Sequence, residues 1–244
     1  IVMEGGHLIS EGPVGCPVGT SLEVCDLFFN TPARQKFLRY PATEQSHCLD
    51  TAVRVILGTQ RTGLQVRSGG RTLVHIPSGL NTKGGPDAAE RVLCALGSKV
   101  DRVFWFAHHL DDIEVTGFIS DPAKNRRDTK GMWCLINGRY VRDRLMHRTI
   151  RDAYQPFLER GRYPVCLVHL HLDPEAMDVN VHPQKLEVRF GSSASVYRAV
   201  GAALSIALQQ GGWQKRSQVI APPHAGGYVS SILEANASQS SDEF

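Results

Sequence analysis

The sequence predicts an α+β protein arranged as two blocks and a structureless tail. Strand-like alternating runs are interleaved with helical i, i+3, i+4, i+7 stripes in both halves. A breaker-rich stretch from Pro77 to Pro86 (PSGLNTKGGP) separates the halves. Beyond about Gly211 the periodicity stops, and Ser, Gly, Ala, Pro and Gln dominate to Phe244. The expected units are therefore 1–82, 83–211 and a linker over 212–244.

In the first block, Gly5-Gly6 between Val2–Glu4 and His7–Ser10 predicts a hairpin, because both glycines accept positive φ. Ser21–Phe28 (SLEVCDLF) reads as a strand. Thr31–Arg39 reads as a short helix with Pro32 in its first turn. Leu49, Ala52, Val53 and Ile56 mark one face of a helix over Glu44–Leu57. Gly63–Arg67 and Arg71–Ile76 are strands around Gly69-Gly70.

The second block opens with a helix from Pro86 to Gly97. Val103–Ala107, Glu114–Ile119 and Trp133–Asn137 follow as strands. Leu145–Leu158 reads as a helix with Leu145, Ile150, Ala153 and Phe157 inward. Val165–Leu172 is a strand, and alternation from Val179 to Phe190 gives two more. Ser195–Leu208 closes the block as a helix with Val196, Ala199, Val200, Ala203 and Leu204 on one face. Strands alternating with helices predict a sheet with helices against it.

Composition narrows the function classes. The chain has 244 residues, 42% hydrophobic and 21% charged, a globular balance. No apolar run approaches the roughly 18 residues that span a bilayer, so no membrane role is expected. No charged-then-apolar leader opens the chain, which suits a cytoplasmic protein. Ile1 in place of an initiator Met suggests a piece of a longer protein. The six cysteines have neither CxxC pairs nor short Cys/His spacing, so reduced thiols rather than a zinc site are expected.

Charge is uneven. From Lys124 to Arg151 nine basic residues face two acidic ones, giving that window +7 in a chain of net +3. A basic stripe on an otherwise mildly acidic chain points to a polyanion. After the Asn137-Gly138 turn, Arg144, Arg148 and Arg151 fall at i, i+4, i+7 of the next helix, a row able to follow a phosphate backbone. Arg139 and Arg142 lead into it. The competing reading is a solvated helix face.

Two further segments carry candidate chemistry. In GTSLEVCDLFFNTPARQKFL, Gly19-Thr20 offers a backbone that approaches a ligand closely and a hydroxyl to bond it. In DVNVHPQKLEVRF, Pro183 ends a strand and puts Lys185 at a turn, as a mobile point charge suited to a terminal phosphate.

Together, GTSLEVCDLFFNTPARQKF, NGRYVRDR and DVNVHPQKLEVRF resemble the MutL family of DNA mismatch-repair proteins. They occur in order, and the resemblance runs from about residue 12 to about residue 209. It implies the C-terminal part of a GHKL ATPase domain, then a second α/β domain of the gyrase B/MutL second-domain type. In that family the second domain supplies a lysine to the ATP γ-phosphate, which corresponds to Lys185. The Gly-Thr of the ATP-site motif corresponds to Gly19 and Thr20. Arg144 falls at a DNA-contacting position.

The resemblance further implies ATP and Mg²⁺ as cofactors. The implied partners are DNA bound without sequence preference, a MutS-type mismatch-recognition protein, and a second copy of the chain. It places the protein in the bacterial cytoplasm, acting at the nucleoid. The family's earlier motifs, with the catalytic Glu, the Mg²⁺-binding Asn, the DNGxG adenine motif and the Gly-rich lid, do not occur here. No catalytic or metal-binding residue is therefore expected in this chain, nor ATP hydrolysis by it alone.

Three other readings compete. One is the second domain of another GHKL enzyme, a type II topoisomerase B subunit. Another is a DNA-binding module that never meets nucleotide. The last is a metal hydrolase built on His169 and His171, which share a strand face, with His182; it lacks a carboxylate cluster nearby.

Overall fold

A computed structural model describes residues 1–59, 61–79, 85–96, 100–178 and 188–213. The chain opens with the hairpin β1 (Val2–Glu4) and β2 (His7–Ser10), as the Gly5-Gly6 pair predicts. Those glycines take φ values of 57 and 91.

Ser21–Phe28 does not form the expected strand. A strand needs a neighbour to take its N–H and C=O groups, and no ladder includes this run. Positive φ at Asp26 (46) and Phe28 (68) also breaks the extended path. The helix expected over Thr31–Arg39 is one turn long, α1 (Pro32–Gln35), with no side-chain cap on its first N–H groups.

The helix α2 (Pro41–Gly58) starts earlier than its apolar stripe, because Pro41 suits a first helical position. Strands β3 (Leu64–Ser68) and β4 (Arg71–Ile76) pair as the second expected hairpin. After a 3₁₀ turn at Gly85–Ala88 comes α3 (Ala89–Leu96).

The remaining strands build one five-stranded sheet. They are β5 (Val103–Leu110), β6 (Ile113–Ser120), β7 (Met132–Ile136), β8 (Arg139–Val141) and β9 (Cys166–His171). Their order is β5-β6-β9-β7-β8, antiparallel throughout except for the parallel pair β7 and β9. A parallel pair needs a crossover. Here it runs through β8, α4 (Arg144–Tyr154) and a 3₁₀ turn at Gln155–Phe157. A two-strand ladder of β10 (Met177–Asp178) and β11 (Arg189–Phe190) precedes α5 (Ser193–Gln210). Most of the expected alternation over 179–190, and the linker from 214 on, lie outside the described residues.

Alternating residues send two cores to opposite faces of the sheet. On one face Val115, Cys134, Ile136, Val168 and Leu170 meet α4 and α5. On the other, Phe118, Trp133, Leu135 and Leu167 meet Val53, Ile56 and Leu57 of α2, Ile76 of β4 and Val92 of α3. This second core joins residues from both sides of position 82.

The inward stripe of α4 is shifted from its expected phase. Met146, Ile150 and Tyr154 are fully buried, whereas Leu145 is half exposed. Asp143 sets the phase: its carboxylate caps the helix by accepting the Met146 N–H at 2.6 Å. Burial of Met146 and Ile150 contributes about 1.5–3 kcal/mol each.

A basic pocket between two helices and a hairpin

The sheet's edge positions the arginines. Asn137 and Gly138 take φ values of 47 and 81, the geometry of a two-residue turn, and join β7 to β8. Strand β8 is so short that sequence periodicity does not mark it. It carries Arg139 outward, and Arg142 and Arg144 follow at the start of α4. Arg139, Arg142, Arg144, Arg148 and Arg151 are all exposed, and for the last three the helical spacing predicts it.

Their surroundings divide them. Arg148 and Arg151 both lie near Asp152, at 3.5 and 3.9 Å. This aspartate stands one residue beyond the stretch in which the sequence shows its charge excess. Lys124 pairs with Asp101 at 3.2 Å and Arg126 with Asp128 at 2.9 Å. Among the described residues no ion pair engages Arg139, Arg142 or Arg144. The charge available to a ligand is thus concentrated at the β8–α4 connection rather than along the whole helix.

A cavity of about 430 Å³ opens there. Arg142 and Arg144 line one side, Lys130 lies on the loop before β7, and Arg54 comes from α2. Lys130 belongs to the basic stretch that the sequence shows and Arg54 does not; both meet the arginine pair only through tertiary folding. Arg54 is held by Asp50 at 2.6 Å, and its guanidinium lies 4.9 Å from the centre of the Tyr140 ring. Tyr140 in turn packs edge-on against Trp133. Asp50 and Asp143 also line the cavity, so its four fixed cations face two carboxylates.

Two groups beside Asp143, His147 in the cavity lining and Tyr197 behind it, have shifted proton affinity. Burial, opposed by the Asp143 charge, lowers the pKa of His147. Burial and the same carboxylate raise that of the Tyr197 phenol.

The nucleotide-site expectations are placed only in part. Gly19 (φ 139) and Thr20 lie on an exposed, irregular segment after β2. Lys185 lies outside the described residues, as does His182. His169 and His171 stand with ring centres 3.9 Å apart. The His169 Nε2 lone pair is taken by the Gly138 N–H at 2.8 Å, which leaves it unavailable to a metal and speaks against the metal-hydrolase reading. Of the six cysteines, Cys134 and Cys166 are buried, and burial pushes both thiols up, Cys166 to about 12. Among the described residues no helix is long and apolar enough to cross a membrane.

Comparison with known proteins places this architecture. Residues 97–209 match the family described as DNA mismatch repair protein, C-terminal domain. The DNA mismatch repair protein MutL of Syntrophus aciditrophicus is 40% identical over 206 residues, covering 84% of this chain and 32% of that protein. The MutL of Myxococcus xanthus is 39% identical over 229 residues, covering 93% of this chain and 36% of that protein. The chain thus spans about a third of the length of these curated relatives. Among solved structures, the N-terminal domain of a DNA repair protein superposes with a TM-score of 0.56 at 17% identity, covering 75% of this chain and 59% of that one. At that identity the likeness is one of fold.

Proposed function

The chain belongs to the MutL family of DNA mismatch-repair proteins, and from that membership we propose that its basic pocket is a DNA-backbone site of an ATP-driven repair protein. The observation that carries this reading is the convergence of Arg54, Lys130, Arg142 and Arg144 on one cavity, with Arg142 and Arg144 free of ion pairs among the described residues. Phosphate oxygens are the ligands that several converging guanidinium and ammonium groups suit best. Contacts to phosphate oxygens position DNA without reading its bases.

Arg139, Arg148 and Arg151, exposed outside the pocket lining, extend the basic track. The Asp152 carboxylate beside Arg148 and Arg151 weakens their share. In this reading ATP binds across Gly19, Thr20 and Lys185, with Lys185 on the γ-phosphate. Residues 1–82 belong to the nucleotide-binding unit and 83–211 to the unit that answers it. Mg²⁺, a MutS-type partner and a second copy of the chain complete the assembly in the bacterial cytoplasm. The protein couples mismatch recognition to removal of the strand.

Spontaneous mutation rate tests this. A strain whose intact protein carries Arg142→Glu with Arg144→Glu is expected to mutate as fast as a strain lacking the protein. A wild-type rate, with the variant protein present at normal level, overturns the reading.

A further inference from the structure

The turn at Asn137-Gly138 is held from three sides. The Asn137 amide donates to the Leu172 carbonyl at 2.9 Å and accepts the Leu172 N–H at 3.2 Å. The Gly138 N–H donates to His169 Nε2 at 2.8 Å. On the third side the end of α2 rests on the turn. A Cβ placed on Gly58 would stand 1.9 Å from the Gly138 carbonyl oxygen, so no other residue permits this approach.

The hairpin therefore meets α2 at two points, Arg54 over Tyr140 and Gly58 against Gly138. Residues 54 and 58 are one helical turn apart, on one face of α2. Seating Gly58 fixes how far Arg54 reaches toward Arg142 and Arg144. His169 comes from the neighbouring strand β9, next to β7 in the sheet. Its ring is mostly buried beside His171, and burial pushes its pKa down to about 4. At neutral pH the imidazole is uncharged, so it retains the lone pair that accepts the Gly138 N–H.

We propose that His169 is a positioning residue of the DNA-binding surface: it fixes the Asn137-Gly138 turn on which Gly58 rests, and so sets the spacing between Arg54 on α2 and the arginines that lead into α4. The proposal rests on the reading of this surface as the DNA site. The spacing between Arg54 and the Arg142–Arg144 pair, which come from separate segments, is thereby set by a hydrogen bond away from the cavity.

The test uses the intact protein that carries this chain, titrated with duplex DNA at several salt concentrations. A stoichiometric titration reports the binding-competent fraction. His169→Ala and Gly58→Ala are expected to bind roughly tenfold more weakly, the loss of about one charge-assisted hydrogen bond. The log–log salt slope should flatten by about 0.9, one phosphate contact. The competent fraction should stay at the wild-type value. His169→Gln, whose Oε1 can take the place of Nε2, should restore both affinity and slope.

A merely structural histidine would give a different pattern: a smaller competent fraction with wild-type affinity and slope. That pattern, or wild-type behaviour of both His169→Ala and Gly58→Ala, overturns the positioning role. Arg144→Glu, measured alongside, separates the two levels. If it weakens binding while the His169 and Gly58 variants do not, the positioning role alone fails. If it binds as wild type, the surface reading fails and the positioning role with it.

Discussion

The Tyr197 hydroxyl donates to Asp143 Oδ1 at 3.1 Å, the same oxygen that accepts the Met146 N–H at 2.6 Å. One carboxylate thereby caps α4, ties α5 to it, and lines the basic cavity as one of its two acids. These three roles separate on substitution. Asp143→Asn keeps an oxygen acceptor for both donors but removes a negative charge from the cavity. It is expected to tighten DNA binding by a few-fold with a stability change within about 1 kcal/mol. Asp143→Ala should lose about 1–2 kcal/mol through the missing cap. Paired DNA titrations and urea melts check both, and weaker DNA binding by Asp143→Asn would contradict the role given to that charge.

Arg91 makes a second prediction. It is 93% withdrawn from solvent, with 7% relative exposure, and donates to four carbonyl oxygens: Thr62, Pro77, Ile56 and Thr59. Two of these belong to the end of α2, where carbonyls lack helical partners. Arg91→Met fills similar space but removes the donors from all four oxygens, of which Ile56 keeps the Thr59 N–H at 3.2 Å, and should cost about 3 kcal/mol. Chemical denaturation reads this directly. A loss under about 1 kcal/mol would show that water satisfies the same carbonyls.

Acid should destabilise the fold in a defined window. The folded-state pKa of His169 lies at about 4, below the roughly 6.5 of an exposed histidine. Between these values the unfolded chain binds more protons than the folded one, so stability falls as pH drops. His147, also shifted down, acts in the same direction. Asp101 and Asp128 have lowered values, so their contribution is lost only below the usual carboxylate range. The expected profile is flat from about pH 6.5 to about pH 8 and declines toward pH 4. His169→Gln should flatten part of that decline; an unchanged profile would show that His169 titrates normally.

Nucleotide chemistry supplies a further expectation. If Lys185 meets the γ-phosphate, Lys185→Ala in the intact protein should slow ATP turnover by about 10²-fold. ADP affinity should change much less, because ADP lacks the contacted group. Equal losses for ADP and a non-hydrolysable ATP analogue would argue for a folding defect instead.

Much of this architecture was legible in the sequence because it depends on short-range rules. Gly5-Gly6, Gly69-Gly70 and Asn137-Gly138 mark hairpin turns that demand positive φ, and all three form. The stripe from Val196 to Leu204 marks α5, which buries those residues as expected. Alternation in Ser21–Phe28 does not make a strand, because a ladder depends on a neighbour that the pattern cannot supply. Leu145 was expected inward, one position from Met146, since several near-equal phases fit a short helix until Asp143 fixes its start.

The site was legible only along its local part. The row Arg144, Arg148 and Arg151 follows from helical spacing, but Asp152 beside two of its members had no place in the charge count. Arg54 lies 88 residues before Arg142, and Lys130 sits on a loop; no periodicity links such positions. Their meeting at one cavity is a product of α2 packing on the sheet face opposite α4.

If the cations converging at the β8–α4 connection hold DNA phosphates, duplex binding must depend on salt through Arg142 and Arg144. Wild-type intact protein and its Arg142→Glu, Arg144→Glu variant are titrated with DNA of unrelated sequences across a series of salt concentrations. Binding to every sequence should weaken alike, with a log–log slope flatter by about 1.8, two phosphate contacts at about 0.9 each. Affinity and slope equal to wild type would contradict the phosphate-holding role of these cations.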